Sequence, residues 1–155
     1  MKIDFTEQEY RLLMDLLEMS DWLLHAHFTE EREETEKYSA LMQKIYACAE
    51  EMGCGNLVEY DDKLNSYFAT SEYEESGEYM SFIEEFEEDA FWDGLSHKLA
   101  FRDLLDQEGE EAIENMDMVE RAAKLLDLQS WYEEEFNENG LSNIRIVKAR
   151  SDKVN

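Results

Sequence analysis

Apolar residues recur with helical spacing through most of this chain, starting close to its first residue. Thr6 followed by Glu9 forms a capping-box pattern, which predicts that a helix begins near Glu7. Two apolar stripes follow, one at Tyr10, Leu13, Met14, Leu17 and Leu24 and the other at Leu12, Leu16, Met19 and Leu23. At about 100° per residue these stripes merge into an arc wider than half the helix circumference. The pattern predicts a helix central to the core, with a polar side at Arg11, Asp15, Glu18 and His25.

A second helical stripe predicts a partner for this first helix. Thr29 is a suitable N-cap residue, and the glutamates that follow it suit the positive end of a helix dipole. The apolar positions are Tyr38, Leu41, Met42, Ile45, Ala49 and Met52. Gly53 can end this helix in a left-handed conformation. Because the link between the two helices is short, we expect them to pack as an antiparallel pair.

The segment after Gly53 is predicted to contain a shorter helix and a loop. Asn56 is expected to cap the helix, since Glu59 follows three residues later. Its buried side consists of Leu57, Tyr60, Leu64, Tyr67 and Phe68. Residues 71–77 interrupt the helical period and are therefore predicted to form a loop.

The second half of the chain is predicted to be helical almost throughout. Apolar spacing resumes after Glu78, with a kink or a break expected near Gly94 and an end at Gly109. Asp117 is expected to cap the last long helix, and Gly140 is expected to end it.

Two short alternating segments lie near the ends of the chain. Ile3 and Phe5 alternate with polar residues, as do Ile144 and Ile146, so each segment could form a very short strand and the two could pair. No internal repeat or low-complexity tract is found. The sequence therefore predicts an all-α fold, a single-domain bundle of about five or six helices over residues 1–155, with the two terminal strands as an optional addition.

Charge limits the classes of partner. The chain has 155 residues and a net charge of -26, from 14 Lys and Arg against 40 Asp and Glu. Residues 145–155 carry four basic residues and one Asp, a net charge of +3, so the first 144 residues carry -29. We expect a basic, flexible tail on an acidic domain. Strong acidity argues against direct nucleic-acid binding and favours a basic protein partner.

The sequence also predicts a compartment. The longest apolar run covers residues 45–49, which is too short to span a bilayer, and Lys2, Asp4 and Glu7 do not resemble a secretory signal. The two cysteines form no C-x-x-C pair, so we expect a cytoplasmic protein. Cys48 lies on the second apolar stripe and is predicted to be buried, whereas Cys54 lies in a turn, where it could be exposed. Acidic neighbours should raise the pKa of a Cys54 thiol, which disfavours catalysis there.

Two Asp-x-x-x-His pairs are the strongest candidates for a metal site. Asp21 with His25, and Asp93 with His97, each place a carboxylate and an imidazole on one helix face. Two such helices could enclose a divalent metal in a bundle. The Glu-x-x-His signature of di-iron bundles is missing, and the simpler interpretation is that each Asp pairs with a surface His.

These observations predict a non-enzymatic protein that acts through protein–protein interaction. No catalytic residue and no cofactor is predicted, because carboxylates are too abundant in this chain to identify an acid–base site. One alternative is a metal-binding helical bundle that uses the two Asp/His pairs. Another is a homodimer, because the wide apolar arc of the first helix exceeds what one chain can bury.

Overall fold

The computed structural model describes residues 3–30 and 32–145. Within these residues the chain forms six α-helices and one two-stranded antiparallel sheet, which confirms the all-α fold class. The helices are α1 (Glu7–His25), α2 (Glu36–Tyr46), α3 (Ser71–Ser76), α4 (Tyr79–Glu108), α5 (Glu110–Asn115) and α6 (Met118–Asn139), and the strands are β1 (Val58–Asp61) and β2 (Ser66–Ala69). No helix in the two described ranges combines the length and apolar character that crossing a membrane requires.

The chain divides into two compact units, Met1–Phe86 and Glu87–Asn155, with the boundary inside α4. Each unit has its own cluster of buried side chains. The first cluster includes Tyr10, Met14, Met42, Tyr46, Leu57, Tyr73, Tyr79 and Ile83. The second includes Ala100, Tyr132 and Phe136, packed with Trp92, Leu95, Leu99, Leu125 and Leu128. A single domain over residues 1–155 stays a prediction.

The helix boundaries predicted from the capping residues of α1 and α6 are confirmed. Thr6 Oγ1 accepts a hydrogen bond from the Glu9 N–H at 3.3 Å, while the Thr6 N–H donates to Glu9 Oε2 at 2.9 Å. This capping box satisfies backbone N–H groups that the first turn of α1 leaves unpaired. The Asp117 carboxylate likewise caps α6, which ends at Asn139 before Gly140 with φ +55°.

The first helix packs differently from its prediction. Tyr10 and Met14 are buried, but in the second apolar stripe only Met19 packs against the core: the exposed fractions of Leu12, Leu16 and Leu23 are 63%, 57% and 72%. The prediction that α1 is central to the core is therefore wrong for half of its apolar arc. Asp15 and Glu18, two residues of the side predicted to be polar, are half-buried, because tyrosines of α2 and α3 donate hydrogen bonds to their carboxylates.

The second helix is shorter than predicted. It begins at Glu36, after the N-cap position Thr35, rather than after Thr29, and it ends at Tyr46. The backbone turns between Tyr46 and Gly53, where Gly53 has φ +77°, the left-handed conformation expected for it. The N-cap position lies six residues after the predicted Thr29, at the buried Thr35, whose hydroxyl group is fixed by contacts with His25 and the Arg32 carbonyl.

A β-hairpin replaces the helix predicted after Asn56. Strands β1 and β2 pair with Val58 opposite Ala69 and Tyr60 opposite Tyr67. Their tyrosine rings lie 4.8 Å apart, a cross-strand aromatic contact. In the turn, Asp61 Oδ1 accepts hydrogen bonds from the N–H groups of residues 63 and 64, at 2.7 and 3.1 Å. Helical spacing of the apolar residues is coincidental here, and β-branched and aromatic residues around an Asp turn decide the structure.

A short helix, α3, occupies residues that are predicted to form a loop. Thr70 Oγ1 caps it by accepting a hydrogen bond from the Tyr73 N–H at 3.4 Å. Tyr73 is only 4% exposed, so one buried aromatic residue anchors a segment that is otherwise polar. The loop prediction is wrong because a single anchor leaves no periodic pattern in the sequence.

The long helix α4 runs without a break through Gly94. A methyl group at Gly94 would meet no atom within 4 Å, so this glycine is not required by close packing. The predicted break is therefore wrong, although a mid-helix glycine costs about 1 kcal/mol relative to alanine. The helix ends at Glu108, before Gly109 with φ +82°, as predicted.

Neither end of the chain forms a strand within the described residues. Residues 3–5 and 143–145 have no strand conformation. Lys2, Ile146 and residues 146–155 of the predicted basic tail lie outside the described residues.

One side chain tethers the hairpin to the helices of the first unit. Gln43 of α2 donates from Nε2 to the Tyr67 carbonyl at 2.8 Å, and its Oε1 accepts from the Tyr67 N–H at 2.7 Å. The amide therefore pairs with β2 much as the backbone of a third strand would. Both backbone groups are part-buried, so their pairing contributes to stability.

We predict that Gln43→Leu destabilises the protein by about 1–3 kcal/mol, because it leaves both backbone groups of Tyr67 without partners. Urea unfolding monitored by circular dichroism measures the change. Gln8→Leu, at an exposed position of α1, is the matched control. If Gln43→Leu lowers the free energy of unfolding no more than Gln8→Leu does, the result contradicts the predicted role of Gln43.

Candidate functional site

The first Asp/His pair forms a structural contact at the end of α1. His25 Nδ1 lies 2.8 Å from Asp21 Oδ1, and its Nε2 lies 2.9 Å from Thr35 Oγ1. Thr35 is 4% exposed, and its hydroxyl donates to the Arg32 carbonyl at 3.0 Å. Both imidazole nitrogens therefore have protein partners. The imidazole connects the end of α1 to the start of α2, a role that the helical spacing alone does not reveal.

The second pair is organised around a glutamine of α6. Asp93 Oδ1 accepts a hydrogen bond from Gln129 Nε2 at 3.1 Å, and His97 Nδ1 lies 3.4 Å from Gln129 Oε1. Gln129 also donates to Glu133 Oε1 at 2.9 Å. Asp93 and His97 are thus positioned by the same amide group, on the exposed side of the helix pair.

The structure places the four predicted metal ligands in two different units. Asp21 and His25 belong to the first unit, and Asp93 and His97 belong to the second. Among the described residues, no group of three or more His, Cys, Asp or Glu side chains is arranged to hold a metal ion. A metal site formed by these four residues stays a prediction.

The two cysteines have environments opposite to those predicted. Cys48 is exposed, whereas Cys54 is 1% exposed, and both thiols are free. Cys48 is exposed because α2 ends at Tyr46, so that residue 48 does not lie on the buried stripe of a helix. Burial and the nearby Glu7 carboxylate raise the pKa of the Cys54 thiol despite the opposing charge of Arg11. A raised pKa leaves Cys54 a poor nucleophile.

A network of tyrosine hydroxyls and carboxylates lies on the inner side of α1. Tyr46 of α2 donates a hydrogen bond to Glu18, and Tyr73 of α3 donates to Asp15 Oδ1 at 2.6 Å. Sequence reasoning missed both tyrosines as partners of these carboxylates. Tyr46 lies four residues after the apolar Met42, a spacing from which its inward position could have been inferred.

Glu18 is the most strongly perturbed carboxylate of this network. Burial raises its pKa, and the neighbouring charges of Asp21, Glu74 and Asp15 raise it further, while the hydrogen bond from Tyr46 opposes the shift. Burial and the carboxylates also raise the pKa of Tyr46, so its hydroxyl remains protonated and keeps donating.

A groove of about 570 Å³ lies beside this network, between α1, α3 and the start of α4. Its apolar walls include Trp22, Tyr79 and Ile83. Five carboxylates line it: Glu18, Asp21, Glu74, Glu75 and Glu84. Among the described residues that line this acidic groove there is no Lys or Arg. An adjacent part of α4 exposes two large side chains, Phe82 and Phe86, at 60% and 62%.

The chain matches no protein-family model, no curated protein and no solved structure.

We predict that the protein becomes more stable on acidification from pH 7 to pH 5. The folded-state pKa of Glu18 is raised, so the native state takes up a proton more readily than the unfolded chain, and stability rises as the pH falls through the folded pKa. Hydrogen bonds from Tyr132 and Arg102 outweigh burial and lower the pKa of Asp103, but the resulting loss of stability begins only at more acidic pH. Thermal unfolding at both pH values measures the effect.

Glu18→Gln isolates the contribution of this residue. The amide oxygen can still accept from Tyr46, so the variant should be more stable than the wild type at pH 7, with the difference shrinking toward pH 5. Glu114→Gln removes one charge at an exposed position and should show a smaller difference. A melting temperature of the wild type that falls steadily between pH 7 and pH 5 would refute the prediction.

Proposed function

We propose that this protein is not an enzyme and that it binds a basic partner protein through its first unit. The observation that carries the proposal is the acidic groove, which is lined by five carboxylates and by the partly exposed Trp22. Such a groove suits Arg or Lys side chains of a partner, because the carboxylates attract the cation and the indole ring accepts it through a cation–π contact.

The apolar surface next to the groove supports a protein partner. Phe82 and Phe86 are spaced four residues apart, so they lie side by side on α4. Large aromatic side chains are enriched at the centres of protein interfaces, where acidic and basic groups of the rim set specificity. A net charge of -26 steers cationic partners and repels nucleic acid. The free thiols of Cys48 and Cys54 agree with a reducing cytoplasm, which we propose as the compartment.

The groove is tested with a charge-matched pair of triple variants. The groove variant is Glu74→Gln/Glu75→Gln/Glu84→Gln, and the control variant is Glu110→Gln/Glu111→Gln/Glu114→Gln on the exposed face of α5. Each variant loses three negative charges, so general electrostatic attraction changes equally. We expect basic proteins that the wild type and the control retain at low salt to bind the groove variant about tenfold more weakly.

Affinity capture with quantitative proteomics, followed by titration of the purified candidate, provides the measurement. High salt should release the partner, since screening weakens the rim charges. Equal retention by both triple variants would show that only net charge matters, and retention of proteins without a basic surface would equally reject the proposal.

A second candidate is a homodimer formed through the outer stripe of α1. Leu12, Leu16 and Leu23 are all more than half exposed and lie along one side of the helix. Self-association would cover this stripe, and salt should favour it by screening the repulsion between two acidic chains.

Light scattering at high protein concentration decides the second candidate. We expect a mass near twice 18.4 kDa that increases in abundance with salt, and Leu16→Glu should restore the monomer. A single 18.4 kDa species at every salt concentration would exclude the homodimer.

A further inference from the structure

The second unit contains a separate groove of about 500 Å³ between α4 and α6. One wall is formed by Trp92 and Phe136, whose rings lie 5.4 Å apart. Four carboxylates line this α4–α6 groove: Glu88, Asp89, Asp93 and Glu133. None of the ion pairs between described residues involves these carboxylates, and no described basic side chain lines the groove. The negative charge is therefore not neutralised within this part of the chain.

A buried hydroxyl group in the lining is the second, independent observation. Ser96 is 0% exposed, and its Oγ is the one buried side-chain polar atom among the described residues without a hydrogen-bond partner. Buried polar groups in native proteins are almost always paired, so such a group needs an explanation. Ser96 is among the residues that line the groove, so a donor that enters the groove can reach the Oγ acceptor once the side chains that cover Ser96 move aside.

The carboxylates of the groove are spread along the helix axis. Glu88 and Asp93 are five residues apart on α4, which corresponds to about 7.5 Å along the helix, and Ser96 lies about 4.5 Å farther along it. Two of the carboxylates are also held in place, because Gln129 donates to both Asp93 and Glu133. An elongated set of negative charges, two of them held in place, suits a ligand whose positive charges are separated by a flexible apolar chain.

We infer that the α4–α6 groove binds a linear polyamine, a small molecule with two or more alkylammonium groups. One ammonium group donates to Ser96 Oγ and lies against the face of Trp92, where a cation is attracted to the indole ring. The methylene groups pack against Phe136, and the remaining ammonium groups pair with the carboxylates. This site lies in the second unit and is independent of the partner protein proposed for the acidic groove.

Isothermal titration of the full-length protein with spermidine tests the site, at about 0.15 M salt to suppress nonspecific attraction. We expect saturable binding of one spermidine molecule per chain.

Ser96→Ala should weaken spermidine binding about tenfold, the typical effect of losing a hydrogen bond to a charged group. Ser96→Ala leaves the net charge unchanged. Because it removes an unpaired buried hydroxyl group, the variant should be at least as stable as the wild type. Ser130→Ala, at an exposed position of α6, is the matched control and should bind like the wild type.

A second pair of variants tests the charges. Asp93→Asn should weaken spermidine binding more than Asp127→Asn, which removes the same charge from an exposed position of α6. If Ser96→Ala and the wild type bind spermidine with equal affinity, the binding is only general attraction to an acidic protein, and the inference is overturned. Tighter, Ser96-dependent binding of Mg²⁺ or of tetralysine would also overturn it, by assigning the groove to a metal ion or to a peptide. The absence of saturable spermidine binding would also overturn the inference.

Discussion

Hydrogen bonds from tyrosine hydroxyls to carboxylates are the interaction on which both units of this protein depend. With 40 carboxylates and only 14 Lys and Arg, the chain cannot pair most of its acidic groups with cations. Phenol hydroxyls are neutral donors that can be buried at much lower cost than an ammonium group. The pairs are Tyr46 with Glu18 and Tyr73 with Asp15 in the first unit, and Tyr132 with Asp103 in the second. These hydrogen bonds allow acidic residues to lie at the edge of the core in a protein that has few basic residues to pair with them.

The parts of the fold that depend on local chemistry could be predicted from the sequence. The capping box of Thr6 and the glycine at position 140 define helix ends through the conformations of single residues, and the structure confirms both. Elements that depend on distant contacts could not be predicted in this way. The hairpin carries apolar residues at helical spacing, and its strands are fixed by pairing between Tyr60 and Tyr67 and by Gln43 of another element. Periodicity within a short segment does not contain that information.

In the candidate sites, too, local contacts could be predicted from the sequence and distant contacts could not. Spacing correctly predicted the contact between Asp21 and His25, because residues four apart meet on any helix. Spacing could not predict that Thr35 occupies the other imidazole nitrogen of His25. The acidic groove was also beyond the sequence, because it assembles carboxylates from three helices. Ser96 carries a weak signal, since it lies four residues before the buried Ala100 within an apolar stripe, but only coordinates show that its hydroxyl lacks a partner.

The contact between Gln43 and β2 has a consequence for the behaviour of the chain at high concentration. A two-stranded sheet has two free edges, and a free edge can recruit a strand from another molecule. Here the outward N–H and carbonyl of Tyr67 are already occupied by a side-chain amide from the same chain. A neighbouring molecule cannot extend the sheet at this point without first displacing that amide. Gln43 therefore opposes edge-to-edge aggregation at the β2 edge, and the mutual repulsion of strongly acidic chains opposes it in general.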